Sequence, residues 1–230
     1  MSLRSAQVVA LCRATFRSVQ WLPALVAVLV VAGLVTWKRS AFDNPGSALG
    51  MVRLVAVVLA AGAVFVLDDA AAATVAASPT PLWWRRMLRY GVAAIFVLPA
   101  WVAVLAYAHI HQPELPWPRV TLELTVLATF GFAVGGTATR WLDASDPGMA
   151  AALSVLGFTF IGAELPQRLA LFDVPDLQPW PPSTLRWMTV LVAAVVVLVV
   201  TTRDPARARP RRLPPCPHGD RAGLATRARR

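Results

Sequence analysis

Charged residues and cysteines are both scarce in this sequence. Only 15% of its 230 residues are charged and 57% are apolar, whereas an average soluble domain has roughly 45–50% apolar residues. The two cysteines, Cys12 and Cys216, lie near opposite ends of the chain, which excludes a disulfide scaffold. The hydrophobicity also excludes intrinsic disorder. A membrane protein is the class that fits.

Acidic residues are scarce as well, with 12 Asp and Glu against 22 Lys and Arg and a net charge of +10. The charges cluster between apolar stretches, which is typical of a polytopic membrane protein. Lys38 is the only lysine, and the chain is rich in Ala, Val, Leu and Pro. This composition indicates GC-rich codons, so we expect the plasma membrane of a high-GC bacterium.

Catalytic motifs are absent from the sequence. It contains no phosphate-binding G-x-x-x-x-G-K-[ST] loop, no H-E-x-x-H and no G-x-S-x-G, so we predict neither an enzyme nor a bound cofactor. His109, His111 and Glu114 could bind a metal ion at the outer face. Side chains at helical positions i and i+2 point apart, however, and we favour two interfacial histidines and no metal site.

The apolar stretches predict an all-α, polytopic fold with six transmembrane helices, because a bilayer core about 30 Å thick needs about 17–25 apolar residues per span. The predicted spans are Trp21–Trp37, Met51–Leu67, Leu88–Ile110, Val120–Ala138, Gly148–Glu164 and Arg186–Thr202. Pro99 is expected to kink the third of these spans.

The arginines predict that both termini are cytoplasmic, since this orientation places most of them inside, including nine from Arg203 to Arg230. Residues 1–20 show helical spacing of apolar side chains and are predicted to form an amphipathic helix at the interface. Residues 21–202 form the six-helix domain. Residues 203–230 are predicted to be a disordered basic tail that attracts anionic lipids and does not bind nucleic acid.

The connection between the second and third spans has an unusual sequence. An alanine-rich run follows Asp68 and Asp69 and favours a helix that Pro79 and Pro81 must break. Such an arm suggests a surface for a partner. The residues that follow are Trp83, Trp84, Arg85 and Arg86. For these four, an equal alternative to partner contact is a membrane anchor, with the tryptophans in the headgroup layer and the arginines on lipid phosphates.

Two further features are candidates for a translocation pathway or for helix packing. Glu123, near the outer end of the fourth span, and the Asp68–Asp69 pair are ionisable groups at membrane depth, which is costly unless they have a function or are wetted at an interface. Gly131 and Gly135 form a G-x-x-x-G pattern that permits close helix contact, within the chain or at a dimer seam.

The connection 165–184 before the sixth span is external in this topology. It carries five prolines among apolar residues, and we expect it to dip into the outer interface as short broken helices.

Together these features resemble the six-helix ABC export permeases, particularly small permease-like subunits of actinobacteria. The resemblance lies in residues 5–19, in Asp68 to Arg89 and in Leu165 to Thr184, and is topological more than motif-based. The E-A-A pattern of importer permeases is missing, which favours export.

The resemblance implies a half-transporter for a hydrophobic or amphipathic compound. It would pair with a second copy or a sister permease and with two separately encoded ATPase subunits. A membrane scaffold without transport activity is the alternative, and an autonomous channel or carrier is a third. The residues implied in ATPase contact are Thr74, Ser78, Pro79, Thr80, Pro81, Trp83, Trp84, Arg85 and Arg86.

Overall fold

The computed structural model describes most of the apolar part of the chain. The described residues form six α-helices and two short 3-10 helices, and no strand occurs among them. The described residues are 21–68, 82–141, 146–166, 171–172 and 181–202. The α-helices are α1 (Leu22–Trp37), α2 (Pro45–Val64), α3 (Leu82–His111), α4 (Trp117–Trp141), α5 (Pro147–Glu164) and α6 (Pro181–Thr202).

These helices confirm the all-helical fold and agree with a multi-pass membrane protein. Five of the described helices, α2 to α6, are long and apolar enough to cross a membrane, whereas α1 has only 16 residues. The interfacial helix predicted for residues 1–20 and the tail predicted for residues 203–230 lie outside the described residues.

Several helices extend beyond the predicted spans. α2 begins at Pro45 rather than Met51, because the Asn44 side chain accepts a hydrogen bond from the Gly46 N–H at 3.0 Å and Pro45 is suited to the first helical position. α3 begins at Leu82 and contains Pro99 within the helix. Hydropathy therefore marked the apolar middle of these helices and missed their polar ends.

Helices α2 and α4 form the centre of the bundle. α2 packs against α1, α3, α4 and α5, and α4 packs against α2, α5 and α6. The helices around them carry large apolar side chains on their outer faces. Examples are Leu29 of α1, Ile95 of α3, Phe160 of α5 and Leu185 of α6, each more than 60% exposed. Faces this apolar are rare on soluble proteins, and they suit contact with lipid.

One end of the bundle, here called the Phe42 end, is closed by the 3-10 helix Arg39–Asp43. Phe42 is fully buried with its ring edge-on to Tyr107, and its carbonyl oxygen accepts a hydrogen bond from Gln112 Nε2 at 3.0 Å. The turn between α1 and α2 is thereby fixed to the last turn of α3.

Candidate functional site

The first candidate site is a buried ion cluster two turns into α4. Glu123 is 1% exposed, and its carboxylate accepts two hydrogen bonds from Arg53 of α2. Arg53 Nε lies 3.0 Å from Oε2, and Nη2 lies 3.1 Å from Oε1. This two-pronged geometry is among the strongest charge-assisted arrangements in proteins, and it ties α2 to α4.

Arg119 completes this cluster from within α4. It lies one turn before Glu123, with its Nε 3.5 Å from Oε1, and it is 6% exposed. Ionised groups at membrane depth are costly unless they pair. Glu123, paired with Arg53 and Arg119, meets that condition.

Phe172, one of the described residues between α5 and α6, lies over the cluster. The Phe172 ring lies 5.3 Å from the Arg53 guanidinium carbon, close enough for a cation–π contact. The indole N–H of Trp187, a fully buried residue of α6, donates to the Leu171 carbonyl oxygen at 2.9 Å. Leu171 and Phe172 are therefore held over the ion pair by α6, whereas 167–170 and 173–180 lie outside the described residues.

The sequence singled out Glu123 but neither of the two arginines that pair with it. Arg53 lies inside α2, eight residues after its start. Two signals were present. Arg53 interrupts an apolar span, and Arg119 precedes Glu123 by four residues, the spacing of a helical ion pair.

The second candidate site is a polar cluster at the opposite end of the bundle, here called the Arg86 end. Arg86 of α3 donates to the Thr201 carbonyl oxygen at 2.9 Å and to Thr139 Oγ1 at 3.1 Å. Arg140 of α4 donates to the Val200 carbonyl oxygen at 2.7 Å. Cations at the carboxyl end of a helix satisfy its last carbonyls and complement its dipole, so both arginines stabilise the end of α6.

Asp68 joins α2 to α5 at this same end. Its Oδ1 accepts a hydrogen bond from the Gly148 N–H at 2.6 Å, in the first turn of α5. The side chain of Asp146, the residue before α5, makes no such capping bond, so Asp68 caps the helix from a distance. Burial raises the pKa of Asp68 above its usual value and the nearby Asp146 adds to this, while the bond from Gly148 opposes it.

Of the other residues predicted to contact an ATPase or to lie on a translocation pathway, the structure describes only some. Trp83 is exposed and Trp84 half-buried in the first turn of α3, with their rings edge-on at 5.3 Å. The Arg85 side chain lies outside the described part. Also outside it are Asp69, Thr74, Ser78, Pro79, Thr80 and Pro81.

Gly131 and Gly135 face neighbouring helices of the same chain. A Cβ atom at Gly131 would meet Val64 of α2 and Val155 of α5, and one at Gly135 would meet Leu67 and Ala151. The two glycines let α4 approach α2 and α5 closely, as small residues do in membrane helices.

The two histidines near the Phe42 end lie against their own neighbours. The His111 Nδ1 is 2.9 Å from the Tyr107 carbonyl oxygen, and the His109 ring is edge-on to Trp117 at 5.0 Å. Within the described ranges, no group of three or more His, Cys, Asp or Glu side chains is placed to hold a metal ion.

Comparison with known proteins assigns no family to this arrangement. No protein-family model, no curated protein and no solved structure matches the chain.

Proposed function

We propose that this chain is the transmembrane subunit of an ABC-type exporter in a bacterial plasma membrane. It crosses the membrane six times with both termini cytoplasmic, pairs with a second copy or a sister permease, and moves a hydrophobic or amphipathic compound. Separately encoded ATPase subunits supply the energy. The basic tail 203–230 associates with anionic lipids.

The observation that carries this proposal is how the two ends of the connector 69–81 are fixed. Asp68, immediately before the connector, bonds to α5. Arg86, shortly after it, bonds to α4 and α6. A force applied to the connector from outside the bundle would therefore reach α2, α3, α4, α5 and α6 together, which is what rigid-body coupling to an ATPase requires.

The Arg86 end is the cytoplasmic end in this proposal. The segment 203–230, which follows α6 at this end, holds nine arginines, and the positive-inside tendency therefore favours this orientation. The ATPase subunits then contact the segment from Thr74 to Pro81 and the adjoining Trp83, Trp84, Arg85 and Arg86. The exposed apolar faces of the outer helices leave room for the second permease.

The test is copurification followed by an uncoupling variant. After extraction in mild detergent, the chain is expected to bring down the ATPase encoded by an adjoining gene. In vesicles containing that complex, the double variant P79A/P81A should retain ATP hydrolysis and lose most export of a lipophilic fluorescent dye, because a straightened connector no longer transmits closure.

The matched control is P113A/P116A, which makes the same change at the Phe42 end and should leave the ratio of dye exported to ATP hydrolysed unchanged. Absence of any ATPase from the purified material would overturn the exporter proposal. An unchanged ratio in P79A/P81A would overturn the placement of the contact.

A membrane scaffold or assembly subunit without transport activity is the second candidate. The observation in its favour is that Glu123 pairs with Arg53 across α2 and α4 and with Arg119 within α4, as in a structural element. Copurification of other membrane chains without an ATPase would favour it.

A further inference from the structure

A groove of about 460 Å³ lies between α4, α5 and α6. Its floor is α4, with Ala133 and Thr137 one turn apart, and its walls include Ala150 of α5 and Ala194 and Val197 of α6. The groove exists because α5 and α6 both pack on α4 but barely contact each other in the described residues. Its volume is in the usual range for small-molecule sites, about 300–1,000 Å³.

The lining is suited to hydrocarbon. Most of it is Ala, Val and Phe, and it includes two hydroxyl groups. Thr137 Oγ1 donates to the Ala133 carbonyl oxygen at 2.7 Å, and Ser154 Oγ donates to the Ala150 carbonyl oxygen at 2.8 Å. Because both hydroxyl protons are used within their own helices, the groove offers a ligand mainly apolar contact.

The groove is closed halfway along the bundle. Phe158 of α5 packs on Phe130 at 4.8 Å between ring centroids and lies 6.2 Å from the Trp187 ring of α6. From Phe130 to Ala138 the groove follows α4 for about 12 Å, less than half of a hydrocarbon core of about 30 Å. A transmembrane helix of a second copy would need a groove along the whole length of the bundle. A groove that is closed at mid-depth is long enough only for part of an acyl chain.

The open end of the groove carries positive charge. Arg140 lies one turn beyond Thr137, and its Nη1 donates to the carbonyl oxygens of Val200 and Thr201 at 2.7 and 3.3 Å. Val200 is itself one turn beyond Val197. The guanidinium therefore lies at the groove's open end, where cationic side chains attract lipid phosphates.

We propose that this groove binds one anionic phospholipid, with an acyl chain between α4, α5 and α6 and its phosphate at Arg140. The inference rests on the membrane placement proposed above, and it is independent of the exporter activity. Its test therefore needs no ATPase.

The test uses the full chain, purified in mild detergent and delipidated, and counts bound lipids by native mass spectrometry. The probes are phosphatidylglycerol and phosphatidylcholine with the same acyl chains. The first phosphatidylglycerol should bind about fivefold more tightly than phosphatidylcholine. Both lipids carry a phosphate, but only phosphatidylglycerol has a net negative charge for one basic side chain to attract. R140Q should abolish this preference, and R140K should retain it.

Filling the groove tests the acyl-chain position. V197F should weaken binding of the first phosphatidylglycerol by about tenfold or more, since it displaces buried methylene groups. V196F is the matched control, because Val196 is 56% exposed and does not line the groove. A second filling variant, A193F, repeats the test, and each variant is compared by its gel-filtration profile and unfolding transition.

Three results would overturn the proposal. Equal affinity of the wild type for the two lipids would contradict a headgroup site at Arg140. Equal effects of V197F and V196F on lipid binding would contradict an acyl chain in the groove. A wild-type dimer that V197F converts to a monomer without any change in lipid binding makes the groove a contact between copies.

Discussion

Glu123 shows how the surroundings of a single residue decide its role. Its position in the fourth span indicated a costly group at membrane depth, either functional or wetted at an interface. In the bundle it is 1% exposed and lies between Arg53 and Arg119. Its contacts with Arg53 and Arg119 join α2 to α4 and give Glu123 a structural role in the bundle.

Replacing Glu123 by Gln should therefore destabilise the protein strongly. The amide keeps the size of the side chain but leaves the buried guanidinium of Arg119 and the partly buried one of Arg53 without this counter-charge. The expected loss is about 3 kcal/mol by analogy with broken buried pairs. The measurement is the unfolding transition in mixed detergent micelles on titration with a denaturing detergent.

E114Q is the control for this prediction, because Glu114 is an exposed carboxylate near the same end of the bundle. Its unfolding transition should match that of the wild type. An E123Q protein as stable as E114Q would show that the ion cluster contributes little.

At the scale of elements, the hydrophobic pattern located the helices but not their contacts. The spans predicted for α1 and α5 agree with the structure within one residue, because both helices are apolar along most of their length and have a proline in the first turn. α2 and α3 each begin six residues earlier than predicted. Their first turns contain polar or amphipathic residues, which lower the local hydropathy. The start of α2 also depends on the hydrogen bond that caps it at Asn44, which hydropathy does not measure.

Gly131 provides a test of how closely α4 approaches its neighbours. A Cβ atom there would lie 2.5 Å from a methyl carbon of Val64 and 2.9 Å from one of Val155. Because these are β-branched side chains with little freedom, G131A should destabilise the bundle by about 1–3 kcal/mol. The same denaturing-detergent titration measures the change.

The control is G157A on α5, where no atom lies within 4 Å of the added Cβ. That variant should be as stable as the wild type or slightly more stable, since Ala has the higher helix propensity. Equal destabilisation by both variants would contradict the close approach of α4 to α2 and α5.

At the scale of the whole molecule, the contacts at the Arg86 end join segments far apart in sequence. Asp68 and Gly148 are 80 residues apart, and Arg86 and Thr201 are 115 residues apart. The outcome is a single end at which α2 ends, α3 and α5 begin, and α4 and α6 end. The proposed orientation assigns this end to the cytoplasm.

Single-cysteine labelling tests that orientation. In a background with Cys12 and Cys216 replaced by Ser, S40C at the Phe42 end should react with a membrane-impermeant maleimide in intact cells. W141C at the Arg86 end should react only after permeabilisation, because the nine arginines of 203–230, which follow α6 at this end, favour the inside.

The two sites serve as controls for each other, since Ser40 and Trp141 are both exposed. The opposite result would place the connector 69–81 outside the cell and would contradict contact with an ATPase. Labelling of both positions from one side would contradict a topology in which the two ends of the bundle lie on opposite sides of the membrane.

The sequence by itself determined that this is an all-helical chain with several apolar segments of membrane length, because hydropathy and segment length act locally along the chain. It also identified Glu123, Asp68 and Arg86 as unusual, since each places charge at or beside an apolar segment. Only the tertiary structure decided which partners they have, because Arg53 with Glu123, Asp68 with Gly148 and Arg86 with Thr201 are brought together by the packing of helices distant in sequence. The groove between α4, α5 and α6 has the same origin, since it depends on how two helices diverge along a third.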